Sequence, residues 1–208
     1  MRILVTGFEP FGGGTINASW EAVSAIPDRI GNTEILRLRL PVTFEGCLPP
    51  VIAAIRAEHL DAVLCVGQAE GRSTITPERI AINLDDARIP DNAGCQPVDQ
   101  TIRANGPAAY FSTLPVKRMA QAILDAGIPA SVSYTAGTFV CNHLMYGILD
   151  FCAREYPTIR AGFMHVPCQP EQTVNKENTP SMSKEDILRG VMAAVEALAS
   201  GHIEKDEA

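Results

Sequence analysis

Asp61-Ala62-Val63-Leu64-Cys65-Val66-Gly67 decides the fold. Its unbroken apolar centre does not alternate as a half-solvated strand would, so it predicts a strand covered on both faces. Arg2 to Thr6 and Arg160 to Val166 read the same way, and Glu34 to Leu40 is a strand closed by Pro41. Arg79 to Leu84 and Ala130 to Thr135 are further strand candidates. Helical stretches fall between them. Asn17 to Ile26 has Asn17 or Ser19 as N-cap. Pro49 to His59 carries two prolines near its start. Leu114 to Ala126 ends at Gly127, and Cys141 to Glu155 follows. Ser183 to Ala199 opens on a capping box of Ser183 and Asp186 and lines up Ile187, Leu188, Val191, Val195 and Leu198 on one stripe. This alternation predicts a single α/β domain over residues 1–208, a three-layer α/β/α arrangement around a mainly parallel, twisted central sheet. The polar tail, residues 201–208, is expected to be frayed.

The bulk numbers narrow the function. A length of 208 residues supports one sizeable core. A net charge of −7 opposes a nucleic-acid partner, because phosphate binding wants a basic face. No apolar run approaches the roughly 20 residues needed to cross a bilayer, so no membrane partner is expected. Met1-Arg2-Ile3-Leu4-Val5-Thr6-Gly7 is too short for a signal-peptide core and reads as the first strand, which predicts a cytoplasmic location. Cys47, Cys65, Cys95, Cys141, Cys152 and Cys168 are scattered without a CxxC pair, as free thiols of a reducing compartment are.

In open α/β sheets the site lies at the carboxyl ends of the strands. That rule singles out Gly7 to Gly14, Gly67 to Arg72, Gly137 to Cys141 and His165 to Cys168. In Thr135-Ala136-Gly137-Thr138-Phe139-Val140-Cys141-Asn142 a strand is expected to end at Gly137 and a helix to begin near Cys141. A thiol there meets the positive end of the helix dipole and unpaired N–H groups, which favour the thiolate and can hold an oxyanion. The alternative is a core cysteine that starts an apolar stripe with Met145, Ile148 and Cys152. Of the four histidines, His202 lies in the tail, His59 ends a helix, and His143 points away from Cys141 on its own helix. His165, at the end of an apolar strand, is the candidate base; on its own it would equally suit a core histidine. An orienting carboxylate is required, and Glu78, Asp85, Asp86 and Asp91 all qualify by pattern.

Two rivals use the same residues. Cys141, His143, His165 and Cys168 are zinc-type ligands. Helical residues two apart diverge by about 200°, however, and Pro167 separates the second pair, so no metal is expected. Gly7-Phe8-Glu9-Pro10-Phe11-Gly12-Gly13-Gly14 begins like a phosphate loop but lacks its Lys-Ser/Thr. Its phenylalanines suggest a flat apolar wall.

Taken together, several segments resemble the pyroglutamyl-peptidase I (pyrrolidone-carboxylate peptidase) family. They are Thr6 to Gly13, Asn17 to Val23, Gly67 to Arg72, Pro77 to Asn83, Asp86 to Asn92, Gly137 to Asn142 and Phe163 to Pro167. The resemblance implies a Cys141-His165-Glu78 triad, selecting Glu78 among the open candidates. It implies peptides with an N-terminal pyroglutamate as substrates, a homotetramer and no cofactor. Phe8, Phe11, Phe139 and Val140 match the apolar pocket for the pyrrolidone ring, Asn17 and Gln68 match polar positions near it, and Arg88 matches a position close to the catalytic centre. Ala18 and Glu70 depart from the usual proline and glycine. A non-peptidase amidase on the same Cys-His site and an inactive cyclic-amide binding protein are the alternatives.

Overall fold

A computed structural model of the chain describes residues 1–200; the expected frayed tail, with His202, lies outside the described residues. The sheet is built on β1 (Arg2–Phe8), β3 (Thr33–Leu40), β4 (Ala62–Gln68) and β8 (Arg160–Val166), all parallel. Two short antiparallel edges close it, β2 (Arg29–Ile30) beside β3 and β5 (Thr76–Pro77) beside β8. The spatial order is β2-β3-β1-β4-β8-β5. A separate hairpin-like pair joins β6 (Ile80–Ile82) to β7 (Ala109–Phe111).

Alternating side chains feed two cores. Ile3, Val5, Leu64, Val66, Met164 and Val166 face α1 (Ala18–Ser24), α3 (Val116–Asp125) and α5 (Lys184–Ala199). Leu4, Val63, Cys65, Ala161 and Phe163 face α2 (Phe44–Ala57) and α4 (Val140–Glu155). The predicted α5 stripe is the one that packs: Ile187, Val191, Val195 and Leu198 are fully buried, each contributing about 1.5–3 kcal/mol of apolar transfer. Ser183 Oγ caps that helix by accepting the Asp186 N–H. Asn17, not Ser19, caps α1.

Three expectations are corrected. Helix α2 starts at Phe44, not Pro49, because Thr43 supplies the cap by accepting from the Gly46 N–H; Pro49 and Pro50 lie inside the helix. Only Ile80–Ile82 of the predicted strand Arg79 to Leu84 is a strand. Ala130 to Thr135 forms isolated bridges, Ile75 to Ala130 and Glu78 to Ser133, and no strand ends at Gly137. The ladder there runs Ile75 N–H to Pro129 O and Arg79 N–H to Ser133 O. Its middle rung falls on Pro77, which has no N–H to give.

From β1 the chain moves outward to β3, then returns to place β4 on the other side of β1. The crevice between the carboxyl ends of β1 and β4 is therefore a topological switch point, the usual ligand position in such sheets.

Candidate active site

A cavity of about 840 Å³ opens at that crevice. Its lining includes Phe8, Phe11, Asn17, Gln68, Arg88, Phe139, Val140 and Cys141. The seven expected pocket residues and the candidate nucleophile thus share one cavity. Phe11 and Phe139 meet at 5.4 Å between ring centroids, and Phe44, which sequence reasoning missed, backs Phe139 edge-on at 5.3 Å. The wall is flat and apolar, as the phenylalanine-bearing glycine loop suggested.

The two polar residues are already braced. Asn17 Oδ1 accepts from the Ser19 N–H and hydroxyl, and its Nδ2 donates to Glu9 O. Gln68 Oε1 accepts from the Ala18 N–H at 2.7 Å, and its Nε2 donates to Cys168 Sγ at 3.3 Å. Each amide keeps one N–H free, and Gln68 Oε1 keeps a lone pair. Arg88 is exposed on the rim. Glu70, the unusual residue of its loop, pairs with Lys176 across the mouth at 2.8 Å.

Two strands and a helix converge on the thiol. His165 lies in β8 opposite Gly67 in β4. Both belong to the face that packs on α4, since they continue the Cys65 and Phe163 alternation. Cys141 is the second residue of α4. A Cβ added to Gly67 would stand 3.0 Å from Cys141 Sγ, so the sulfur rests directly on the glycine opposite His165. Among the described residues, no hydrogen bond joins Sγ to the ring. The N-cap residue Phe139 offers no side-chain acceptor, and the first N–H groups of α4 have no intrahelical partner.

The four candidate carboxylates separate cleanly. Glu78, fully buried, has Oε1 2.7 Å from His165 Nδ1. Asp85 lies 2.7 Å from His143 Nδ1. Asp86 accepts from the Asp99 N–H, and Asp91 accepts from the Phe44, Ala93 and Cys95 N–H groups. Three of the four side chains of the zinc alternative go to different partners, with Cys168 on Gln68, His143 on Asp85 and His165 on Glu78. Asn142, unremarked in the sequence, ties α4 to β6 by exchanging hydrogen bonds with Ile82 and donating to Leu84 O.

The electrostatics oppose one another at the thiol. Burial pushes the Cys141 thiol up to about 12, Glu78 adds to the rise, and Arg72 opposes it. Burial also lowers His165, against the raising effect of Glu78. Burial thus works against the thiolate that the helix start favours, and against the imidazolium that Glu78 favours.

The pyroglutamyl peptidase family model matches residues 1–201. The chain belongs to this family. It is 54% identical over 202 residues to a pyrrolidone-carboxylate peptidase of Levilactobacillus brevis, covering 97% of this chain and 99% of that one. Its fold is similar to the crystal structure of pyroglutamyl peptidase I from Bacillus amyloliquefaciens, with a TM-score of 0.94, 49% identity and coverage of 96% and 95% of the two chains. The pyrrolidone carboxyl peptidase of Thermococcus litoralis is similar too, with a TM-score of 0.89, 41% identity and coverage of 95% and 93%. Family membership thus covers both faces of the sheet and every segment that lines the cavity.

Proposed function

We propose that the chain is a cysteine peptidase that hydrolyses the bond after an N-terminal pyroglutamyl residue, with Cys141 as nucleophile, His165 as base and Glu78 as its orienting group. The single observation that carries this reading is the buried Glu78–His165 contact at the strand end opposite the glycine on which Cys141 Sγ rests. Family membership supports the substrate.

Glu78 accepts the Nδ1 proton, which leaves Nε2 as the basic nitrogen. The pyrrolidone ring lies against Phe11 and Phe139, and its buried N–H and C=O take the unused valences of Gln68 and Asn17. A proline ring, lacking the ring carbonyl, leaves a donor unpaired and is rejected. His165 Nε2 takes the Sγ proton as sulfur attacks the pyroglutamyl carbonyl carbon. The N–H groups at the start of α4 stabilise the oxyanion, each such donor contributing about 2.7–4 kcal/mol. His165 then gives its proton to the leaving amine as the C–N bond breaks. Water, deprotonated by His165, attacks the thioester and releases pyroglutamate and the thiol.

The same reading has residues 1–208 acting as one peptidase domain in the cytoplasm, as a homotetramer. Among the described residues, all six cysteines are unpaired and no helix is long and apolar enough to cross a membrane. Phe111 and Tyr134, 67% and 71% exposed, supply apolar surface for assembly.

The test is turnover of a pyroglutamyl-aminoacyl fluorogenic substrate by wild type, Cys141→Ser, His165→Ala and Glu78→Gln. Loss in all three, with a pyroglutamyl adduct on Cys141 seen by mass spectrometry in the wild type, supports the triad. Turnover that survives Cys141→Ala ends the nucleophile assignment, and tight binding without turnover in the wild type favours a binding protein.

A further inference from the structure

We propose that Arg72 is a positioning residue for this reaction, holding Glu78 and the approach to Cys141 in one frame; the proposal rests on the triad reading above. Gly71 turns the chain back with φ +87° after β4, and Arg72 follows it. Its Nη1 donates to Glu78 Oε1 at 2.6 Å and to Thr76 Oγ1. Its Nη2 donates to Thr135 O at 2.9 Å, on the segment that leads into α4 and Cys141. One guanidinium therefore fixes the carboxylate, the strand that leads into it and the loop that delivers the thiol. Such a planar fork spans three sites where a lysine ammonium would reach fewer.

The same carboxylate oxygen serves two masters. Glu78 Oε1 takes both Arg72 Nη1 and His165 Nδ1, while Oε2 is enclosed without a protein partner. A fully buried carboxylate facing only a neutral imidazole is costly, and a cation beside it offsets that cost. Arg72 also bears on both reacting groups. The charged and titratable groups that act on His165 are Glu78 and Arg72; those that act on Cys141 are Glu78, Arg72 and the Cys65 thiol. Glu78 pushes Cys141 up, and Arg72 pulls both Cys141 and His165 down. Arg72 does not line the cavity, in contrast to Arg88. Its effect is thus expected on the chemical step and not on substrate capture.

The experiment compares wild type, Arg72→Gln, Arg72→Lys and Cys141→Ser on the fluorogenic substrate across pH, with thermal unfolding to verify folding. Arg72→Gln is expected to lower kcat by about 10²-fold, leave KM unchanged and move the whole kcat/KM profile to higher pH, because both groups lose the cation that lowers them. Arg72→Lys keeps the charge and is expected to keep the profile in place while recovering only part of kcat. Should Arg72→Gln not fold, Arg72→Lys carries the test through its lowered kcat at constant KM. A folded Arg72→Gln whose profile overlays the wild type, or a lysine variant that raises KM at full kcat, overturns the proposal. If Cys141→Ser is inactive in that case, only the role of Arg72 falls; if Cys141→Ser turns over normally, the triad reading falls with it.

Discussion

Gly67 is the most informative position for mutation, because the thiol rests on it and the imidazole stands opposite it in the neighbouring strand. A Cβ there would sit 2.7 Å from Phe163 Cζ and 3.0 Å from Cys141 Sγ, both tighter than ordinary van der Waals contact. Phe163 is braced by Phe8 on one side and by His165 at 4.9 Å on the other, so the ring cannot yield freely. Gly67→Ala must therefore displace the sulfur, the ring or both by several tenths of an ångström. Overpacking of this kind costs about 1–3 kcal/mol, and each kcal/mol lowers the unfolding midpoint by about 2–4 °C at this length. Misplacing a reacting atom by 1 Å costs about 10²-fold, so a loss of about 10- to 100-fold in kcat is expected. Gly162→Ala is the control. Its Cβ would press on Ser112 Oγ and stand 2.9 Å from Leu114 Cδ1, well away from the thiol. Both variants should lose stability, and only Gly67→Ala should lose kcat beyond that. The assays are fluorogenic turnover and calorimetry on the same preparations. A Gly67→Ala enzyme destabilised like its control, with wild-type kcat, would refute the claim that Sγ works from its resting place on this glycine.

Alkylation of Cys141 tests the effect of burial on the thiol. With the thiol pushed up to about 12, iodoacetamide should react slowly at neutral pH and faster as pH rises. Full reactivity already reached below pH 6 would mean a preformed thiolate. Activity should persist below the ordinary histidine value of 6.5, since burial lowers His165 and the neutral ring is the working form; an acid limb centred above 6.5 contradicts this. Asp150 tests stability away from the site. Burial raises its pKa, but hydrogen bonds from Tyr110, Arg154 and Arg103 outweigh that and hold it below 3.8. Its stabilisation is therefore present above the unfolded value and lost as pH falls through the folded one. Asp150→Asn should cost about 1–3 kcal/mol at pH 7, with kcat unchanged, and denaturant titrations should show the difference narrowing below pH 3.8; a constant gap speaks against it.

What the sequence made legible, and what it hid, follows from the range of the forces involved. Ala62 to Val66 announces a parallel strand because both faces need burial, and burial is a property of each residue alone. The break in the ribbon at Pro77 was in principle legible too, but only once its parallel partner was known. Arg72 stood inside a segment marked as a strand-end loop, yet nothing local distinguishes a guanidinium bound for Glu78 from one bound for solvent. The choice among four carboxylates is likewise a matter of register. Glu78 reaches His165 because β5 runs antiparallel beside β8 with Thr76 opposite His165, and Asp85 meets His143 because β6 is tied to α4 through Asn142. The thiol's surroundings were hidden for a related reason. A helix start is visible in sequence, whereas the desolvation that opposes its dipole exists only after Phe8, Phe163 and α2 have closed around the sulfur's neighbourhood. That enclosure raises the thiol, and a raised thiol asks of the imidazole that it act as a base in the first step.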